Sequence, residues 1–191
     1  MPSATRTKTR VLALSGSLRR DSYNRGLLRA AEELAPEGVE LELYDGWVDA
    51  PAFNEDSESS PAPAVIELRA RIAAADALLI ATPEYNGSIP GALKNAIDWV
   101  SRPREAAALA GKPAAVIGAS PSPFGAAWAQ EHLRRALESA GALVLEREMP
   151  IGKVHELFEG GELADVETRD AIAELLEELA EFALAPVVLA S

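Results

Sequence analysis

Five short apolar runs, separated by stretches whose apolar residues recur at the helical period, constrain this chain more than any other feature. The runs Val11–Ser15, Val39–Tyr44, Leu78–Thr82, Ala115–Ser120 and Leu143–Glu148 read as strands. The first, third and fourth are apolar throughout, as parallel strands covered on both faces are. The second and fifth alternate, which suits sheet edges. Helical stripes lie between and after them. Leu27, Leu28, Ala31, Leu34 and Ala35 form one; Val65, Leu68 and Ile72, entered through Ser60-Pro61, form the next. Leu93, Ile97 and Val100 mark Ile89–Val100, and Ala126, Ala129, Leu133, Leu137 and Ala140 run up to Gly141. The last helix spans Asp165–Leu184, with Ile172, Leu175, Leu176 and Leu179 inward. This alternation predicts an α/β fold, a doubly wound five-stranded parallel sheet in a single domain.

A length of 191 residues fits one domain. Met1–Arg10 is basic and hydroxyl-rich with no hydrophobic segment behind it, so it does not read as a secretory signal. Residues 1–9 are expected to be a flexible tail and residues 10–191 the folded domain. No run reaches the ~18 apolar residues of a membrane span, so no membrane partner is expected. The absence of cysteine excludes disulfides, thiolate nucleophiles, iron–sulfur clusters and Cys-type zinc sites. His132 and His155 are the two histidines and lack helical spacing, so no metal site is expected. With 18 basic against 30 acidic side chains the net charge is −12, which opposes a phosphate backbone, and nucleic acid is not an expected partner.

Two connections are long. Asp45–Ala64 carries Trp47 and Phe53 among acids, serines and prolines and is expected to pack partly over a site. Lys153–Ala164, with Gly160-Gly161, is similar in character. His132 is expected on the surface or at a subunit contact, and His155 in a loop.

Ligands of open α/β sheets gather at the carboxyl ends of the strands. The first strand runs into Ser15-Gly16-Ser17-Leu18-Arg19-Arg20-Asp21-Ser22-Tyr23-Asn24 at the start of a helix. Hydroxyls, a guanidinium and unpaired helix N–H groups make an anion site there, although Ser22 also reads as a simple helix cap. Neither a Walker loop nor the three-glycine dinucleotide fingerprint is present. The third strand runs into Thr82-Pro83-Glu84-Tyr85-Asn86-Gly87-Ser88-Ile89-Pro90-Gly91, read as an irregular loop offering backbone N–H groups to a flat, polar-edged heterocycle. Tyr85 either flanks that ligand or packs in the core. The fourth strand runs into Ser120-Pro121-Ser122-Pro123-Phe124-Gly125, a third stiff loop.

Gly16-Ser17-Leu18-Arg19 with Ser22-Tyr23-Asn24, followed by Pro83-Glu84-Tyr85-Asn86 running into Pro90-Gly91-Ala92-Leu93-Lys94-Asn95-Ala96-Ile97-Asp98-Trp99, resembles the NADPH-dependent FMN reductase family. That family is flavodoxin-like and includes quinone, chromate and azo-dye reductases. The resemblance covers nearly the whole chain from Arg10 onward. It implies that Ser17, Arg19, Ser22 and Asn24 hold the FMN phosphate, helped by the backbone of Leu18 and Tyr23. It also implies that Pro83, Glu84, Tyr85, Asn86 and Gly87 line the isoalloxazine edge, with Ser120 reaching it from the third loop. Lys94, Asn95 and Asp98 take structural roles, and Trp99 a core or subunit-contact role. Ala126 and Trp128 stand where the family commonly has a glycine pair and an arginine.

The function so implied is a cytoplasmic FMN flavoprotein oxidoreductase. Hydride passes from NAD(P)H to FMN, and then two electrons pass to a small acceptor (quinone, flavin, chromate or azo compound) in ping-pong order. The family also implies a homodimer or homotetramer. A flavodoxin-type electron carrier without its own reductase activity, to which the net charge lends itself, and a non-flavin nucleotide-binding module are the rival readings.

Overall fold

The computed structural model describes residues 8–185. Strands β1 (Thr9–Ser15), β2 (Val39–Leu43), β3 (Ala77–Thr82), β4 (Pro113–Ala119) and β5 (Leu143–Val144) form a parallel sheet in the order β2-β1-β3-β4-β5, the flavodoxin-like arrangement. Helices α1 (Tyr23–Glu33), α2 (Pro63–Ala74), α3 (Gly91–Val100), α4 (Ala127–Ser139) and α5 (Val166–Leu184) cover both faces. Successive side chains of a strand point to opposite faces, and the core divides accordingly. Val11, Ala13, Leu79 and Ile117 pack with α1 and α5. Leu12, Leu14, Leu78, Ile80 and Val116 pack with α2, α3 and α4. The alternating strands β2 and β5 lie at the edges as their pattern predicts, and Ile172, Leu175, Leu176 and Leu179 are fully buried.

Three expectations are corrected. The sheet begins at Thr9, whose N–H donates to the Gly38 carbonyl, so the end of the expected tail belongs to β1; residues 1–7 of that tail lie outside the described residues. Helix α2 starts at Pro63, not at Ser60-Pro61. Pro63 holds the preceding Ala62 extended, and Ser60 N–H already bonds back to the Ser57 carbonyl at the end of a 3-10 turn, Glu55–Ser57, capped by the Asn54 side chain. The fifth strand is interrupted: β5 ends at Val144, and β6 (Pro150–Ile151) pairs with β4 further along. Arg134 of α4 donates to the carbonyls of Leu145 and Arg147, drawing the chain between the two segments toward the helix and away from the ladder.

The long 45–64 connection contains a 3-10 turn, Gly46–Asp49, that buries Trp47. Phe53 packs edge-on against Trp99 at 5.0 Å. Residues 153–164 form a 3-10 turn followed by the hairpin β7 (Phe158–Glu159) and β8 (Glu162–Leu163). No helix among the described residues is long and apolar enough to cross a membrane.

Candidate active site

The loops that follow β1, β3 and β4 converge at the carboxyl ends of three adjacent strands, and specific bonds tie them together. Gly16 N–H donates to the Ala81 carbonyl over 2.8 Å, joining the first loop to the second. Asn24 is buried, and its amide exchanges two hydrogen bonds with the Ala119 backbone, at 3.1 and 2.9 Å, joining the first to the third.

The first loop leads into the N-terminus of α1. Ser22 is the N-cap of α1, yet its hydroxyl makes no capping bond, and no acid stands in the first helical turn. The N–H groups of Tyr23, Asn24 and Arg25 lie in that first turn and have no intrahelical acceptor. The helix dipole adds partial positive charge at the same point. Ser17 and Ser22 are buried, whereas Leu18 and Arg19 are exposed. Arg19 opens onto a cleft of about 580 Å³ shared with Arg20, Arg25, Arg29 and the hairpin residues Phe158, Gly160, Gly161 and Glu162. Tyr23 closes one side of it, edge-on to Phe158 at 5.2 Å. A serine hydroxyl that makes no capping bond, open N–H groups and a nearby guanidinium fit a phosphate monoester, the terminal group of FMN. Asn24, expected on the phosphate, instead commits one amide hydrogen and its oxygen to Ala119.

The second loop is more regular than its sequence suggests. Tyr85 and Ser88 exchange backbone hydrogen bonds of 2.9 and 3.1 Å around Asn86 and Gly87, both at positive φ. This is a two-residue type I′ turn, the conformation that Asn-Gly favours. The tip projects outward, leaving Tyr85 48% exposed, so Tyr85 is not a core residue. Pro83 is buried beneath it, and Thr82 donates its hydroxyl to the Pro83 carbonyl. The Glu84 carboxylate accepts from Ala129 N–H in the first turn of α4. That helix begins at Ala126, which supplies no side-chain cap, so Glu84 provides one from another loop.

In the third loop, Ser120 bonds to Ser122 through their hydroxyls at 3.1 Å and is held by its backbone to Ile151 and Val154. Gly125 packs so tightly that an added Cβ would lie 2.4 Å from Ile151 N, and one added to Gly152 would lie 2.4 Å from the Pro123 carbonyl.

Around these loops, Asn95 accepts from Phe53 N–H and donates to the Pro51 carbonyl, while the Trp99 indole also donates to Pro51. Lys94 pairs with Asp98 at 2.6 Å on the surface of α3, and Trp99 lies in the core. His132 is exposed and sits 3.2 Å from the Ser88 hydroxyl; His155 is exposed beside Glu156. Among the described residues no group of three or more metal-ligating His, Asp or Glu side chains gathers. Sequence reasoning missed the clamp by Asn24, the cap by Glu84 and the buried Gln130, whose amide donates to the Gly125 carbonyl. All three join residues far apart in sequence or on separate elements, and only the Asn-Gly pair carried a local signal for its geometry.

A family model described as NADPH-dependent FMN reductase matches residues 9–156. The chain belongs to that family. Family members similar to it include an NAD(P)H-dependent FMN reductase of Pseudomonas aeruginosa, 46% identical over 173 residues and spanning 89% of this chain and 92% of that protein. A quinone reductase of Escherichia coli K12 is 37% identical over 92% of this chain and 95% of its own. Among solved structures, the flavoenzyme NAD(P)H:(acceptor) oxidoreductase FerB of Paracoccus denitrificans superimposes with a TM-score of 0.81 at 36% identity, covering 92% of this chain and 97% of that one. As a member of this family the chain is an NAD(P)H-dependent FMN oxidoreductase with a flavodoxin-like fold.

Proposed function

We propose that this oxidoreductase takes a quinone as its small-molecule acceptor, working in the cytoplasm as a homodimer or homotetramer. The observation that carries the site assignment is the Ser17–Ser22 cradle. Its Ser22 hydroxyl makes no capping bond at a helix N-terminus, and the cradle is bonded to the two neighbouring loops through Gly16 and Asn24.

In this reading Ser17, Ser22, Arg19 and the N–H groups of Leu18 and Tyr23 bind the phosphate. Asn24 sets the distance from that cradle to the third loop. Pro83 to Gly87 and Ser120 orient the ring. FMN held there would supply the two-electron chemistry between NAD(P)H and quinone, the hydride's two electrons and one proton together with one proton from water making up the hydroquinone. The N–H groups of Glu84, Asn86 and Gly87, Tyr85 N–H being taken by the Ser88 carbonyl, would favour negative charge on the edge of a ring bound there. No side-chain acid, base or nucleophile is assigned to the reaction.

The subunit contact is assigned to α3 and the C-terminal half of α4, which border a cleft of about 640 Å³ lined by Lys94, Arg102, Arg104, Arg135 and Ser139. Light scattering that finds only a 20.2 kDa species at micromolar protein removes this part of the reading.

The central test is spectroscopic. Protein loaded with FMN is mixed anaerobically with NADPH or NADH and followed at the flavin absorbance. Bleaching by the nicotinamide and recovery on adding a quinone support the reading. A flavin that stays oxidised points to an electron carrier.

A further inference from the structure

The chain has ten aromatic residues, and the three that are exposed, Tyr85, Phe124 and Trp128, all lie at the second and third site loops and the start of α4. Phe124 is 59% and Trp128 52% exposed, and their rings sit 5.4 Å apart with planes tilted by 35°. A pair of large rings this exposed is costly in water unless something lies over it.

Their placement follows from the backbone. Gly125 and Ala126 are both left-handed, with φ of 58° and 60°, and this double reversal ends the third loop and starts α4. Phe124 is thereby set before the reversal and Trp128 in the first turn after it, and Ala127 N–H closes back on the Phe124 carbonyl over 3.1 Å. Trp128 shares a face of α4 with His132, four residues on, and His132 reaches Ser88 of the Tyr85 turn. The next residue, Ala129, is held by Glu84. The ring pair therefore continues the wall formed by the second and third loops.

From this we infer that Phe124 and Trp128 form a stacking shelf for the ring of an aromatic quinone, and so set the acceptor specificity of the enzyme. The inference rests on the quinone-reductase reading above. A planar, weakly charged ring gains stacking and apolar burial from two adjoining aromatic faces, whereas a compact inorganic acceptor gains neither. The location suits an acceptor because one wall of the same site carries both the ring-orienting turn and the shelf.

The test uses 1,4-naphthoquinone as probe and ferricyanide as a non-aromatic control. Binding of naphthoquinone is measured by calorimetry on FMN-free and FMN-loaded protein, and KM for both acceptors is measured on the loaded enzyme. Phe124→Ala and Trp128→Ala are each expected to weaken naphthoquinone binding, and to raise its KM, by roughly 3- to 10-fold. Trp128→Phe is expected to restore both to within about twofold, and KM for ferricyanide is expected to stay level. Unchanged naphthoquinone affinity in both alanine variants overturns the shelf. So does an equal rise in KM for ferricyanide, or a change in particle mass by light scattering, which would make the rings a subunit contact. If FMN fails to bind, or NAD(P)H fails to bleach it, the quinone-reductase reading falls. Naphthoquinone affinity of the FMN-free protein then still decides the shelf.

Discussion

Asn24 and Ala119 hold each other by two hydrogen bonds running in opposite directions: the Asn24 amide donates to the Ala119 carbonyl and accepts from the Ala119 N–H. The pair spans 95 positions of sequence and fastens the first turn of α1 to the end of β4. Replacing Asn24 with Leu leaves both Ala119 groups buried and unpaired. The expected cost is about 2–4 kcal/mol in urea unfolding, with FMN affinity falling alongside because the cradle loses its reference to the third loop.

The phosphate role proposed for Arg19 makes it a residue of binding and not of the fold. Arg19→Ala is expected to weaken FMN binding about 10- to 150-fold, the loss of one charge-assisted bond of roughly 1.5–3 kcal/mol, at unchanged stability. Titration of FMN-free protein with FMN and with riboflavin checks this. An equal loss for riboflavin, which has no phosphate, would refute the assignment.

Tyr85 stands on an exposed turn, so its truncation makes no core cavity. Tyr85→Ala is expected to leave the urea midpoint within about 0.5 kcal/mol of the parent while shifting the absorbance of bound flavin. A large stability loss with an unchanged spectrum would contradict the placement.

Glu84 is expected to matter through α4. Glu84→Ala removes the carboxylate that accepts from the Ala129 N–H and should cost about 1–2 kcal/mol, while Glu84→Gln, which retains an acceptor, recovers most of it. Chemical denaturation of both variants, with FMN absent, isolates this effect from ligand binding.

Asp165 gives stability a pH dependence. Its carboxylate accepts from the Thr168 hydroxyl at 2.7 Å and the Thr168 N–H at 2.8 Å, and these bonds, the hydroxyl's first, hold its pKa below the ordinary value. A lowered folded-state pKa means the contribution is present above the unfolded value and is lost as pH falls through the folded one. Asp165→Ala is therefore expected to melt below the parent at pH 7, with the gap narrowing as pH falls below the ordinary carboxylate value, as thermal melts along an acid series would record.

The strand cores and the inward faces of the helices were legible because burial imposes a period on neighbouring residues, as in the run from Leu78 to Thr82 and the stripe from Ile172 to Leu179. The loops carrying Ser17, Ser22 and Tyr85 were legible from residue types that favour caps and turns. The break between Val144 and Pro150 was not, because it depends on Arg134 reaching two carbonyls from another element. The roles of Asn24 and Glu84 were hidden for the same reason: an amide or a carboxylate in a ligand motif reads as a ligand contact until its partner across the fold is known.

Gly125 and Gly152 press the third loop onto the backbone after β6 with no room for a side chain at either position, while Pro121, Ser122, Phe124 and Trp128 stand exposed above them. Mutation meets two different filters within a few residues. Changes at the glycines are eliminated at folding, whatever they would do for catalysis. Changes at the exposed positions pass that filter, and on the acceptor shelf inferred above they would be sorted by the acceptors they admit. Descendants of this chain would then exchange acceptors over short evolutionary distances while keeping the proposed flavin cradle.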